Sequence, residues 1–295
     1  SNNKILLQNE YRQVNLNSNH ISDFSFFSDK GDESKSHFFY EYNKSYKSKN
    51  FEKNTIDLKI QQTSDDTYLK VNKLKSDLIT DNSTIENSLN INLYSNDLNI
   101  ETQFKSYENL NRENSDRYEY ILPKLTLVKK IENKTKFLGN FSFKSENLIK
   151  NYDTNIIEKS NINNFIFNSL PNISRMGLYN NYDFIIVNSN TDAQNSEIYK
   201  KDKNFYLSGI FQYNSSLPMI KENGNYQNIL KPKFSLKIAP NSTKNIRDNE
   251  LKLDLNNIYS INRISQNDVV EGGLSITYGN DFSIFNKIKS KEILS

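Results

Sequence analysis

The chain has no cysteine and no tryptophan, only 8 glycines and 5 prolines in 295 residues, and a net charge of just +3. Without cysteine, thiol catalysis, thiolate metal sites and disulfides within the chain are excluded. The absence does not identify a compartment, because an oxidising one permits disulfides without requiring them. Charges of both signs are interspersed, with no basic tract to neutralise phosphates, so no nucleic-acid partner is expected. No run approaches the roughly 18 apolar residues of a membrane-spanning helix. Such a chain is either water-soluble or crosses a membrane as a closed β-barrel, the other form that satisfies every backbone polar group in lipid. The opening residues, SNNKILLQNEYRQ, enter directly into an alternating pattern, without the charged start, apolar core and small-residue cleavage site of a secretory leader.

What is present is a polar but aromatic chain. Hydrophobic residues make up 35%, mean hydropathy is -0.76, and there are 18 Tyr and 18 Phe. Low hydrophobicity alone points to disorder, but disordered chains are poor in the aromatic and β-branched residues abundant here. The polarity comes mostly from Asn, Ser and Lys, part of which an AT-rich genome would impose.

The dominant period is two. Ile56, Leu58 and Ile60 alternate with Asp57 and Lys59, and Leu89, Ile91 and Leu93 with Asn90 and Asn92. Leu98 to Phe104, Phe137 to Phe143, Phe205 to Tyr213, Phe234 to Ile238, Leu251 to Leu255 and Leu274 to Tyr278 repeat the pattern. Strict alternation predicts half-buried strands, and helical spacing is nowhere sustained. About a dozen segments result, many about 9–11 residues long, the length of a tilted strand crossing a bilayer. Some connections are read as short, such as Ser95–Asp97, and others as long and polar, such as Lys144–Asn164, Asn188–Asn204 and the Pro- and Gly-bearing stretch within Asn214–Pro240. Alternating short and long connections fit a membrane barrel. A soluble β-sandwich alternates for the same geometric reason, but its turns usually carry more Gly and Pro.

The competing chemistries are weak. Asp65 and Asp66 are adjacent, so on a strand they point to opposite faces, and a turn is the better reading than a cation site. His20 and His37 lack partners at metal-ligand spacing, and surface or lumen positions are expected for them. Gly272 and Gly273 lack the Lys-Ser/Thr and following helix of a phosphate loop. No catalytic set, metal site or cofactor site can be assembled, and an enzyme is not expected.

Several segments, in order, resemble the β-barrel part of the LptD (OstA) family, which assembles lipopolysaccharide in Gram-negative outer membranes. FFYEYNKSY and IDLKIQQTSDDTYLKV come first, with SDDTY (Ser64 to Tyr68) similar to a family hairpin motif. LNIETQFKSYENL and DRYEYILPKLTL follow, the latter carrying Tyr118, Leu122, Pro123 and Leu125. The most specific block runs from NSSLPMIK through ILKPKFSLKIAPN to LDLNNIYSINRISQNDVVEGGLSITYG. Its motif positions are Ser216, Pro218, Leu230, Pro232, Asp254, Asn257, Ile258, Tyr259, Ser260, Asn262, Arg263, Asp268, Glu271, Gly272 and Gly279. The Asn-rich style suggests a marine alphaproteobacterial member.

The resemblance implies an all-β fold, an antiparallel transmembrane β-barrel of the outer-membrane type. The family's N-terminal jellyroll, its full strand number, its aromatic final strand residue and its disulfides are not found here. Residues 1–295 are therefore expected to be a single β-barrel segment, an incomplete, open fragment without jellyroll or gate strands. The implied function is lipopolysaccharide translocation and insertion into the outer leaflet, through a polar lumen and a lateral gate. The implied partners are lipopolysaccharide, outer-membrane lipids, an LptE-like plug lipoprotein and, through the jellyroll, an LptA-like periplasmic bridge. Pro218 and Pro232 are expected at strand ends or rim positions. Asn257, Arg263 and Asp268 are expected as a polar cluster in the lumen or on an inward-folding loop, or else as a solvated turn; Asp254 and Glu271 are implied only as family-motif positions in the lumen or a loop. A different outer-membrane porin or uptake channel and a secreted all-β adhesive protein remain alternatives.

Overall fold

The computed structural model describes residues 4–29, 33–134, 138–241, 243, 253–264, 268–288 and 291–294. Phe137, Leu251 and residues 265–267 fall outside that set.

The alternating segments become strands. β1 (Lys4–Val14), β2 (Ser18–Asp29), β3 (Lys35–Tyr46) and β4 (Lys53–Thr63) are followed by a short helix, α1 (Tyr68–Asn72). β5 (Thr84–Tyr94), β6 (Leu98–Asn109), a 3-10 turn at Asn114–Arg117 and β7 (Tyr118–Ile131) come next. Then follow β8 (Gly139–Tyr152), β9 (Ile156–Ser169), β10 (Asn172–Ile173), β11 (Tyr179–Gln194) and β12 (Asn204–Ser216). The last are β13 (Met219–Asn223), β14 (Tyr226–Ala239), β15 (Gly273–Asn286) and β16 (Lys291–Leu294). They join in one sheet in chain order, with β10 beside β11 and β13 beside β14 off the main path. Pairings from β1 to β7 and from β12 to β16 are antiparallel. The strand order is a path with two ends, β1 and β16. The fold is all-β, of the outer-membrane barrel type and open. Among the described residues no helix is long and apolar enough to cross a membrane.

Three expectations need correction. Lys144–Asn164 is not a loop but most of the hairpin β8–β9, turned at Asp153, Thr154 and Asn155, all with positive φ. Asn188–Asn204 begins inside β11, so the connection is shorter than expected. The gap within Asn214–Pro240 is filled by β13 and the start of β14, joined through Gly224 at φ +55°. Leu253 and Leu255, by contrast, lie outside any strand, Leu255 in a turn.

The chain divides into two compact units, Ser1–Lys129 with Ser145–Asn161 and Asn190–Asn204, and Lys130–Lys144 with Ile162–Ser189 and Phe205–Ser295. In the first, residues 64–83 fold over one face of the sheet. Tyr68, Leu69, Leu74 and Leu78 pack there with Phe39, Ile85 and Leu110, all buried. The same covered face carries the polar half of the alternation. Glu41, Lys59, Glu86 and Lys105 form a ladder of ion pairs from β3 to β6, at 3.4–3.8 Å. The opposite, bare face carries the apolar half. Leu58 lies across from Leu89, and Leu89 across from Phe104. On β2, Asp23 and Ser25 are buried while Phe24 and Phe26 are exposed.

The second unit repeats this inversion. On β12, Ser208, Ile210 and Gln212 are buried, while Phe205, Leu207 and Phe211 are exposed. On β14, Ser235, Lys237 and Ala239 are buried, whereas Phe234 and Ile238 are exposed. On β15, Leu274, Ile276 and Tyr278 are 65–70% exposed. A water-soluble sandwich buries its apolar face between sheets. Here it is the apolar face that lies bare.

Candidate functional site

In the second unit the segment between β14 and β15 folds back onto the covered face. Val270 and the partly buried Ile261 pack against Ile162, Val187, Tyr206, Ile210 and Ala239 from the strands. This apolar contact brings three charged groups into one buried place. Arg263 donates to both carboxylate oxygens of Glu271, with Nε to Oε2 at 2.6 Å, and Lys237 of β14 donates to Oε2 as well. Their side chains are 11%, 16% and 4% exposed for Arg263, Glu271 and Lys237. Burial alone would push the Glu271 carboxyl up, but Arg263 and Lys237 outweigh it and hold the carboxyl below its usual range.

Amide and backbone bonds fix the rest of the loop. Asn262 Nδ2 donates to the Val269 carbonyl at 2.9 Å, and its Oδ1 accepts from the Glu271 N–H at 3.2 Å. Gln212 of β12 donates to Ser235 Oγ at 2.7 Å and to the Tyr259 carbonyl at 2.9 Å. The Tyr259 ring sits under Lys233 Nζ, 5.4 Å from its centroid, which itself pairs with Asp281. Gly279 leaves the space that the Tyr259 hydroxyl fills, and a side chain at Gly272 would run into the Asn241 carbonyl.

The expected residues are therefore partly gathered. Arg263 and Glu271 meet directly. Asp254 heads an exposed turn instead, its Oδ1 accepting the N–H groups of Asn256 at 2.8 Å and Asn257 at 3.0 Å, while Asn257 Oδ1 accepts the Asp254 N–H at 3.0 Å. Asp268 is half-buried in the loop just before Val269. Pro218 lies in the break between β12 and β13. Pro232 is not at a strand end but inside β14. Its carbonyl accepts from the Leu217 N–H at 3.1 Å. The N of the same residue points to that same side, toward the break, so its missing N–H costs no ladder bond.

Lys237 and Gln212 were missed from sequence. Both sit on the polar half of an alternating strand, the only signal available, and their partners lie 34 and 47 residues away. In the first unit, Asp65 and Asp66 form a turn as expected. Lys35 at 2.9 Å and the Thr67 hydroxyl and N–H hold the Asp65 carboxyl below its usual range. Asp66 receives a bidentate pair from Arg117, at 2.5 and 2.7 Å. His37 lies on the covered face with Ser25 Oγ 2.6 Å from its Nδ1 and Asp23 Oδ2 3.5 Å from its Nε2. Tyr68 of α1 is 2.6 Å from the same Ser25 oxygen. These four residues are 0–3% exposed, so the cluster is a buried polar contact between sheet and helix.

Among curated proteins none matches this chain. A family model does: LptD, described as LPS transport system D, over residues 33–295. That match spans most of the chain and agrees with an open antiparallel sheet whose bare face is apolar, and the chain belongs to the LPS transport system D family.

Proposed function

We propose that the chain takes part in moving lipopolysaccharide to the outer leaflet of the outer membrane. Family membership supports lipopolysaccharide transport and assembly at that membrane. The observation that carries the reading is the inverted sheet. Leu274, Ile276 and Tyr278 stand bare while Ser235 and Lys237 are buried, an arrangement stable only where hydrocarbon meets the bare face. Lipopolysaccharide has acyl chains at one end and a large sugar at the other. The covered face offers the sugar a polar lumen of Asn, Ser, Gln and paired charges, and a lateral gate lets the acyl chains leave into the leaflet.

In this reading residues 1–295 are one barrel segment. A jellyroll meets an LptA-like bridge in this reading. An LptE-like lipoprotein plugs the lumen, and the chain does no covalent chemistry.

Expression in a Gram-negative host with detergent extraction tests this. The chain is expected in the outer-membrane fraction, with heat-modifiable migration, co-purified lipopolysaccharide and a small plug lipoprotein. A heat shift without either companion would indicate a porin, and a monomer folded in water without detergent would overturn the membrane reading altogether.

A further inference from the structure

The bare face is not equally tall in the two units. A tilted strand takes about 9–11 residues to cross a bilayer, so about five of its side chains face the lipid. In the second unit β14 reaches that count with Leu230, Pro232, Phe234, Leu236 and Ile238, of which Leu230, Phe234 and Ile238 are exposed. Across the ladder on β15 stand Phe282, Asn280, Tyr278, Ile276 and Leu274, a single polar residue among them.

In the first unit the count falls to three or fewer. On β4 the outward positions are Ile56, Leu58 and Ile60, and the next one up is the exposed Gln62. On β5 they are Leu89, Ile91 and Leu93, and the next is Asn87, across from Ser106 of β6. On β3 Phe38, Tyr40 and Tyr42 lie between Ser36 and Lys44. On β2 only Phe24 and Phe26 lie between Ser22 and Ser28. Part of the β3 band is itself polar, since His20 Nδ1 sits 2.9 Å from the Tyr40 hydroxyl and its ring 4.6 Å from that of Tyr42. The short bands are continuous from strand to strand. Tyr42, the lowest of the three on β3, pairs with Leu58, the middle one on β4, and Leu58 with Leu89, the highest on β5. Each band is displaced by one outward position from its neighbour, the stagger of strands that cross a membrane at a tilt.

From this pattern we infer that the outer wall of the first unit seats a locally thinned bilayer. Ser36 and Lys44 are eight residues apart on β3, which at a tilt of about 45° separates them by about 19 Å in depth. An ordinary outer-membrane wall carries an apolar band about 25 Å tall. A bilayer meets a short apolar stretch by thinning around it, because full thickness would place Ser36, Gln62 and Asn87 in hydrocarbon at a cost in free energy. The headgroups of the two leaflets are then drawn together along β2 to β5, and the polar end of a lipid has less hydrocarbon to pass there. The inference rests on the membrane reading of the bare face and goes beyond it, since it gives the two units different lipid surroundings.

The test exploits the absence of cysteine, which makes each introduced one the sole attachment point for a nitroxide. The whole chain is reconstituted in dioleoylphosphatidylcholine vesicles with labels at Ser36→Cys, Tyr40→Cys or Lys44→Cys in the first unit. Leu230→Cys and Ile238→Cys in the second unit have the same eight-residue spacing as 36 and 44. Gln62→Cys is a second marker of the upper edge, and heat-modifiable migration shows each variant folded. Collisions with a water-soluble nickel chelate and with oxygen, which concentrates in hydrocarbon, are read by electron paramagnetic resonance. The nickel-to-oxygen ratio is expected to be about tenfold or more higher at 36, 44 and 62 than at 40, because a polar chelate is excluded from hydrocarbon. At 230 and 238 the ratio is expected to match that at 40. Ratios at 36 or 44 as low as those at 230 and 238 would give the first unit a wall of full height and overturn the inference. High ratios at 230 or 238 with a low one at 40 would make both walls short and overturn it as well. High ratios at 40, 230 and 238 together would remove hydrocarbon from the bare face and sink the membrane reading itself.

Discussion

Replacing Glu271 with alanine is expected to destabilise the second unit by about 3–5 kcal/mol, the range for stranding buried charge. Glu271 pairs with both Arg263 and Lys237, and both cations are almost fully enclosed. Removing it leaves two positive charges facing each other in a place from which water is largely excluded. The segment that carries Arg263 and Val270 is then expected to leave the sheet, exposing Ile210 and Ala239. Trypsin gives a direct reading. Cleavage after Arg263 should be slow in the parent and fast in Glu271→Ala, with Glu271→Gln close to the alanine variant because the charge, not the volume, is missing. Equal cleavage rates would show that the ion triad does not hold the loop.

The same residue sets a pH dependence. The Glu271 carboxyl is held below its ordinary value of 4.5, with burial opposing and the two cations prevailing. A carboxyl lowered in the folded state contributes stability fully above its unfolded value and loses it as pH falls through the folded one. The loop is therefore expected to stay closed at neutral pH and to loosen below about pH 4.5. Glu271→Gln should show no such acid transition in tryptic sensitivity.

The second large effect concerns the bare face. Ile276→Lys is expected to cost about 2–4 kcal/mol for folding into a bilayer if the site lies near the midplane, and less toward either interface. Ile276 is 65% exposed, and in water such a surface change would shift stability by within about 0.5 kcal/mol. The contrast separates hydrocarbon from water as the neighbour of this face. It is sharpened by Lys237, a native lysine on the covered face one β14 residue on from Leu236, which pairs with Ile276 across the ladder. Unfolding by denaturant in lipid vesicles and in detergent-free buffer gives both values.

How much of this was legible depended on range. Period two located β4, β5, β6, β12, β14 and β15, because Ile, Leu and Phe alternate there with Asn, Ser and Lys. It caught only the start of β8, at Phe141 and Phe143, and missed the rest of β8 and β9. After Phe141 and Phe143, Ser145 and Asn147 take the positions the pattern requires to be apolar, so the hairpin looked like a polar loop. It also missed α1, since a five-residue helix shows no helical period, and Tyr68 and Leu69 are adjacent rather than three or four apart. At the site, Arg263 and Glu271 were readable as motif positions of one short block, but not as a pair. Lys237 and Gln212 were not, because nothing local distinguishes a lysine in a lumen from a lysine under a folded loop. Asn257 and Asp254 fell into a turn that their own side chains cap, which is the ordinary use of Asx residues. The Asn-rich composition spoke to codon bias alone, and the family match does not support the marine alphaproteobacterial origin it suggested.

The most direct measurement uses the absence of tryptophan, which makes any introduced indole the sole reporter. Leu207→Trp and Tyr278→Trp place it on the bare face, and Tyr206→Trp on the covered one. In vesicles of brominated lipid, emission at 207 and 278 should be strongly quenched while that at 206 is not. Quenching at 206, or bromine-insensitive emission at 207 and 278 that aqueous iodide quenches instead, would contradict a sheet whose apolar side faces the membrane.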